Sequence, residues 1–292
     1  MKDWIVRPIE SSEGMPMKMK PTLGVALLAC AVGWPLGASA QETGGAARPG
    51  LVEPRADQML RAMSARLAGL ERFAFEAEET FDEIPDGEPR MRLTNVRRVA
   101  VERPSRLAAD ADGDTLNRAA WYDGKTITVL DKAHNTYGQV EVPPMIDAAL
   151  DEVAERYGIE PPLEDFLFSD PYAVLTEGVL YGRYLGLHHA SGVMCHHLAF
   201  VQETVEWQIW IDAGADPLPR KFVITYVREP GEPQYSAVLR KWNLSPTFPE
   251  GLFSFEAPPG AERVEFSEFR GSDESGNAAG SDAKSPEGGG AR

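Results

Sequence analysis

The chain has 292 residues, 43% of them hydrophobic and 9% aromatic, with 29 basic against 45 acidic side chains and a formal net charge of −16. This is the composition of a folded globular protein, and its excess of carboxylates repels phosphate backbones and anionic lipid surfaces, which argues against nucleic-acid binding as a main task. Two cysteines, Cys30 and Cys195, exclude a disulfide-stapled scaffold and a four-cysteine zinc site.

The first readable segment is a targeting signal. Lys18 and Lys20 precede an apolar run from Leu23 to Leu36 that ends in Ala38-Ser39-Ala40, the layout of a secretory signal peptide over residues 1–40. That run is shorter than the ~20 apolar residues a membrane-spanning helix needs. The polar stretch before it suits no signal peptide, so translation is expected to start at Met15, Met17 or Met19. Leu27-Leu28-Ala29-Cys30 offers an alternative, a lipobox with Cys30 as the lipidated first residue. The residues after Cys30 stay apolar through Leu36, which favours cleavage after Ala40 and simple export. Cys195 is then the only thiol.

Residues 41–50 read as a flexible leader. From Pro54, the side chains Met59, Leu60, Met63, Leu67 and Leu70 recur at spacings of three and four, predicting an amphipathic helix that ends near Gly69. The period then changes to two. Strands are predicted from Phe73, over about 91–101 and 106–110, in a hairpin of 119–122 with 126–130 around Asp123-Gly124, and over 137–142. Helix returns over Met145–Tyr157, closed by Gly158, with a second short helix at 162–168. After Asp170-Pro171, strands are predicted at 180–188, 194–203, 205–211, 221–227, 235–242 and 252–256. Residues 271–292 carry no large apolar side chain and are expected to be disordered. The whole reads as one α+β domain over 51–270: a curved antiparallel sheet, apolar on one face, wrapped over an N-terminal helix and a helical insertion. An incomplete barrel of this kind has an apolar mouth suited to an apolar ligand.

The densest cluster of chemistry-bearing residues is His188-His189-Ala190-Ser191-Gly192-Val193-Met194-Cys195-His196-His197. A two-residue turn at Ser191-Gly192 pairs 190 with 193, 189 with 194 and 188 with 195, which puts His188, Cys195 and His197 on one face. A thiolate with two imidazoles is a soft donor set for zinc or copper, although a closed structural site needs a fourth ligand that the neighbourhood lacks. The competing reading is a small buried thiol with histidines hydrogen-bonded at a sheet edge. A Cys–His nucleophile lacks a recognisable elbow, oxyanion hole or helix N-terminus beside Cys195. Trp121, Tyr181, Tyr184, Phe200, Trp207 and Trp210 are the candidates to line a ligand cavity; on one strand 207 and 210 face opposite sides, so only one looks inward. Asp110, Asp112 and Asp114 are spaced like a calcium loop, but Trp121-Tyr122 stand where its terminal glutamate is required, so they read as a solvated turn. Phosphate-binding loops, dinucleotide glycine fingerprints and HExxH are absent.

The runs Trp121-Tyr122-Asp123-Gly124-Lys125, Glu155-Arg156-Tyr157-Gly158, Cys195-His196-His197-Leu198-Ala199-Phe200, Trp207-Gln208-Ile209-Trp210-Ile211 and Pro219-Arg220-Lys221 occur together. In that combination, from about Pro54 to Phe266, the chain resembles the periplasmic family catalogued as domain of unknown function 2092. That family looks like a relative of the lipoprotein-localisation factors LolA and LolB and of the lipid-sensing domain of RseB. The run Phe253-Ser254-Phe255-Glu256-Ala257-Pro258-Pro259-Gly260-Ala261, then Val264, is similar to the end of those carriers. The resemblance implies a half-open antiparallel barrel closed by helices around an apolar cavity, and brings neither a reaction nor a ligand. The expectation is a non-enzymatic periplasmic carrier of a lipid, acyl chain or lipoprotein. The rival is an envelope-stress sensor or protein-interaction module of the same fold, and metal binding is a remote third.

Overall fold

The computed structural model describes residues 51–85 and 89–269. These all belong to the unit Ala47–Arg292. The signal peptide, leader and disordered tail predicted from the sequence fall on residues 1–50 and 271–292, outside the described residues.

Two antiparallel meanders make the sheet. The first comprises β2 (Arg72–Glu83), β3 (Met91–Glu102), β4 (Arg106–Gly113), β5 (Asn117–Tyr122), β6 (Thr126–Asp131) and β7 (Thr136–Glu141). The second comprises β8 (Tyr181–Ala190), β9 (Val193–Val201), β10 (Val205–Asp212), β11 (Pro219–Tyr226) and β12 (Gln234–Asn243). The last strand of the second turns back onto the first strand of the first, pairing Tyr235 with Phe81 and Leu239 with Ala77. Short parallel strands cover the two ends: β1 (Leu51–Val52) lies on β8, and β13 (Glu262–Arg263) lies on β7. The sheet stays open, a curved antiparallel layer rather than a closed barrel.

Alternation decides the inner face. On β2, Phe73, Phe75 and Ala77 are buried together with Leu198 and Phe200 of β9, Ile209 of β10, Phe222 of β11 and Leu239 of β12. Against them packs α1 (Pro54–Ala68), whose Leu60, Met63 and Leu67 are fully buried at the helical spacing the sequence shows. Pro54 suits the first helical turn, where its missing N–H has no partner to lose. The inserted α2 (Ile146–Tyr157) buries Ile146, Ala149, Leu150 and Val153 and ends at Gly158, whose left-handed φ of 63° lets its N–H cap Ala154 O at 2.9 Å.

Two predicted elements differ, and one helix is additional. The strand predicted at 180–188 is β8, but before it Asp170-Pro171 open a helix, α3 (Pro171–Thr176), because the Asp170 carboxylate accepts the Ala173 N–H and proline occupies the first turn. This helix docks on α1, with Tyr172 N–H donating to Ser64 Oγ at 2.9 Å and Arg61 lying 3.8 Å over the Tyr172 ring. The helix expected at 162–168 is only a single 3-10 turn, Glu164–Phe166. Residues 252–256 form no strand; N–H groups at their start are spent in local turns, Leu252 N–H donating to Pro249 O at 3.2 Å and Ser254 N–H to Gly251 O at 3.1 Å. Instead the C-terminal segment crosses the β7 edge. Phe255 packs on Trp121 and Tyr137, and the 3-10 helix Phe266–Phe269 sits against Tyr157. Asp110 and Asp112 likewise lie on β4 rather than in a turn, both paired with Lys132 and Arg98.

Gly138 of β7 shows how tightly that closing segment fits, since a Cβ there would lie 2.7 Å from the Phe269 ring and 3.0 Å from Phe266 Cα. Gly138→Ala is expected to cost about 1–3 kcal/mol by overpacking, read as a lower urea midpoint with an unchanged slope.

Candidate functional site

Towards the C-terminal end of β2, the inner face changes character. Where the alternation calls for apolar side chains it supplies Glu79, and β3 supplies Arg97 from the diagonal position, opposite Ala77; they are 2% and 8% exposed. The Glu79 carboxylate accepts Arg97 Nε–H at 2.8 Å and the Tyr235 hydroxyl at 3.1 Å, tying β2, β3 and β12 together. Beside them the buried Asn95 holds the β4–β5 turn, its Nδ2 donating to Thr115 Oγ1 at 3.2 Å. These groups floor a cavity of about 240 Å³ walled by Phe81, Leu116, Val205, Ile224 and Tyr226.

The segment between α2 and α3 covers it. Leu163, buried and held at a left-handed φ of 67°, turns the chain inward, and Phe166 anchors edge-on against Phe222 at 5.5 Å. Glu160, Glu164 and Asp165 of this cover line the cavity as well. Burial, reinforced by Asp165, Glu160 and Asp151, pushes the Glu164 carboxyl up to about 9, so it carries its proton at neutral pH. Its Oε2 is shielded from solvent and has no hydrogen-bond partner. Burial and Glu160 push Asp165 up to about 6, and burial pushes the Tyr226 phenol up to about 12. The cavity is thus apolar in its walls, neutralised at its floor by a buried ion pair, and acidic at its cover.

None of the six aromatics picked from the sequence lines this cavity. Phe200 and Trp207 do face inward, but they stack on each other at 4.1 Å and fill the core. Tyr184 also faces inward, pairs with Leu198, and meets His196 Nδ1 through its hydroxyl at 3.0 Å. Trp121, Tyr181 and Trp210 have the opposite parity: their neighbours Tyr122, Gly182 and Ile209 or Ile211 look inward instead. Trp210 stacks on His197 at 3.8 Å, with Lys221 Nζ 4.7 Å from its ring. The residues that do line the cavity were signalled in the sequence only by Glu79 and Arg97 interrupting apolar alternation.

The Cys/His hairpin has the expected register, Ala190 with Val193 and His188 with Cys195, around a turn in which Ser191 and Gly192 both have positive φ. His188, Cys195 and His197 share the outer face, yet they do not form a donor set. His188 Nδ1 lies 2.8 Å from His197 Nδ1, His197 Nε2 meets Gln208 Oε1 at 3.0 Å, and Cys195 Sγ donates instead to Val193 O at 3.4 Å. Burial first, then Asp212, raises the thiol above its ordinary range, which disfavours the thiolate that a metal or an electrophile requires. Among the described residues no three His, Cys, Asp or Glu side chains are gathered to hold a metal ion. No described helix is long and apolar enough to cross a membrane.

An open antiparallel sheet wrapped over helices, with a covered cavity on its inner face, defines the class. The family described as "Predicted periplasmic protein (DUF2092)" matches residues 56–267, and the chain belongs to it. No curated protein matches. Similar solved structures include an uncharacterized conserved protein from Thermus thermophilus, at 13% identity and a TM-score of 0.43 over 72% of this chain and 99% of that one. The Mycobacterium tuberculosis lipoprotein LppX is 13% identical, with a TM-score of 0.42 over 67% of this chain and 98% of that one. A LolA superfamily protein from Nitrosomonas europaea is 8% identical, with a TM-score of 0.32 over 68% of this chain and 97% of that one.

Two outcomes follow from the polar groups. Arg97→Met leaves the buried Glu79 carboxylate with only the Tyr235 hydroxyl and is expected to cost about 3–5 kcal/mol in chemical denaturation. Glu164 holds its proton up to about 9 when folded but loses it near 4.5 when unfolded. The folded state therefore binds more protons in between, and stability falls as pH rises through that window. Urea midpoints of the wild type should decline across it, and Glu164→Gln should flatten the decline.

Proposed function

We propose that this chain is an exported, periplasmic binding or carrier protein that holds an apolar ligand, whether a lipid, an acyl chain or the acyl part of a lipoprotein, in the cavity of its half-open barrel. The observation that carries this reading is the covered inner cavity of about 240 Å³ with apolar and aromatic walls. The periplasmic description of the family and the signal-peptide layout of residues 18–40 support export. Pockets for drug-sized ligands run from roughly 300 to 1,000 Å³, so the cavity suits one short chain or the end of a longer one. Larger cargo requires the segment around Leu163 to move. The reading is non-enzymatic: the polar groups at the cavity are an ion pair and a set of carboxyls of which Glu164 is protonated, with no nucleophile set beside a base.

A second reading, as a sensor or docking module for an envelope protein, draws on the β8–β9 hairpin. Leu187, Met194 and Leu185 are exposed there, Leu187 by 52%. Beyond Gly182, β1 no longer covers the β8 edge.

Native mass spectrometry of protein isolated from the periplasm is expected to show a copurifying lipid or acyl chain, and fluorescent fatty-chain probes are expected to bind and to be displaced by it. No bound lipid together with no probe binding contradicts the carrier reading. A stable crosslinked envelope protein in place of any lipid favours the second.

A further inference from the structure

The cavity carries an excess of carboxyl groups that its structural role does not use. Glu79, Glu160, Glu164 and Asp165 all line it, against a single lining cation, Arg97, which Glu79 already engages at 2.8 Å. Among the described residues Glu160, Glu164 and Asp165 have no ion-pair partner, and Glu164 Oε2 is buried with nothing to accept from. The aromatic side chains of Phe81, Phe222, Tyr226 and Tyr235 line the same cavity. Aromatic rings with carboxylates behind them attract organic cations through the ring quadrupole and direct charge pairing. An anionic head, carboxylate or phosphate, would meet four carboxyls and find the one guanidinium taken.

We infer that the covered cavity selects a small amphipath whose polar end is an ammonium group, seated against Glu164 and Asp165 with its hydrocarbon between the aromatic and aliphatic walls. The inference rests on the reading of this cavity as a ligand site and narrows it to a simple alkyl or aryl amine. Glu164 keeps its proton near neutral pH because it is buried and faces other carboxyls, whereas Asp165, raised only to about 6, is largely ionised there. An arriving ammonium offsets the repulsion between them, so Glu164 gives its proton to solvent and the carboxylate it leaves pairs with the cation. Binding near neutral pH then releases a proton.

The test compares octylamine, octanoate and octanol, equal in chain length and different in head, by calorimetry on the purified full chain. Octylamine is expected to bind at least about tenfold more tightly than the other two, the scale of a charge-assisted hydrogen bond in a desolvated site. Its apparent enthalpy should vary with the ionisation enthalpy of the buffer, reporting the released proton. In Glu164→Gln/Asp165→Asn the preference of octylamine over octanol should collapse, with a cooperative urea transition showing that the variant folds. If the double variant does not fold, Glu164→Gln alone and the wild-type proton release decide instead. Octanol binding with no preference for the amine, no proton release, or a preference that survives in the variant would overturn the inference and leave the proposed function standing. Failure of all three probes to bind would remove both. Lysophosphatidylethanolamine, which sets the same ammonium beyond a phosphate, is expected to bind more weakly than octylamine, and tighter binding would overturn the assignment to a simple amine.

Discussion

Glu79 sits where the two meanders meet, and the rest of the molecule is arranged around the cost of burying it. A carboxylate inside a sheet core needs a cation and further donors, and here they come from different strands: Arg97 from β3 within one meander and Tyr235 from β12 of the other. The Tyr235 hydroxyl therefore stitches the seam β12–β2 through the carboxylate of the ion pair, at the junction on which the continuity of an eleven-strand antiparallel run depends. It also stops the apolar packing of β2 short. Up to Ala77 the inner face of β2 is hydrocarbon and α1 fills it; at Glu79 it turns polar, and a cavity lies there with Phe81 in its wall.

The cover of that cavity is held differently from the core. Ile159, Leu163, Phe166 and Leu167 anchor it by burial, while Glu164 and Asp165 bring half-buried carboxyls to the cavity, Glu164 Oε2 shielded from solvent. Apolar anchoring pulls the segment down, and ionisation of its acids would push it out. The same groups thus connect local chain geometry, pH dependence and the ligand chemistry that the cavity favours.

Much of the architecture was legible in the sequence because it rests on periodicity. The spacing from Met59 to Leu70 gave α1, Gly158 marked the end of α2, and Ser191-Gly192 set the β8–β9 register to the residue. Family membership was legible too, from the tryptophan, histidine and proline runs spread across the domain. What the sequence hid follows from what alternation leaves out. Period two says that Trp207 and Trp210 face apart without saying which side the helices cover, and at Trp121 the neighbour Tyr122 took the inner place. Large aromatics drew attention as cavity lining, yet Phe200 and Trp207 are core because aromatics fill space well. The segment 252–256 alternates like a strand but runs between prolines, and α3 was missed because one capping aspartate and a proline mark it rather than an apolar stripe.

The central claim is that the ligand site lies on the inner face beneath the segment around Leu163, and labelling tests it most directly. A short alkyl probe carrying a photoactivatable group can be bound to the full chain, crosslinked, and its position mapped by peptide mass spectrometry. The account predicts adducts on residues of the cavity, namely Phe81, Leu163, Ile224, Tyr226 or Tyr235. Adducts confined to Trp121 and Trp210 on the outer face, or to Leu185, Leu187 and Met194 on the exposed hairpin, would contradict it.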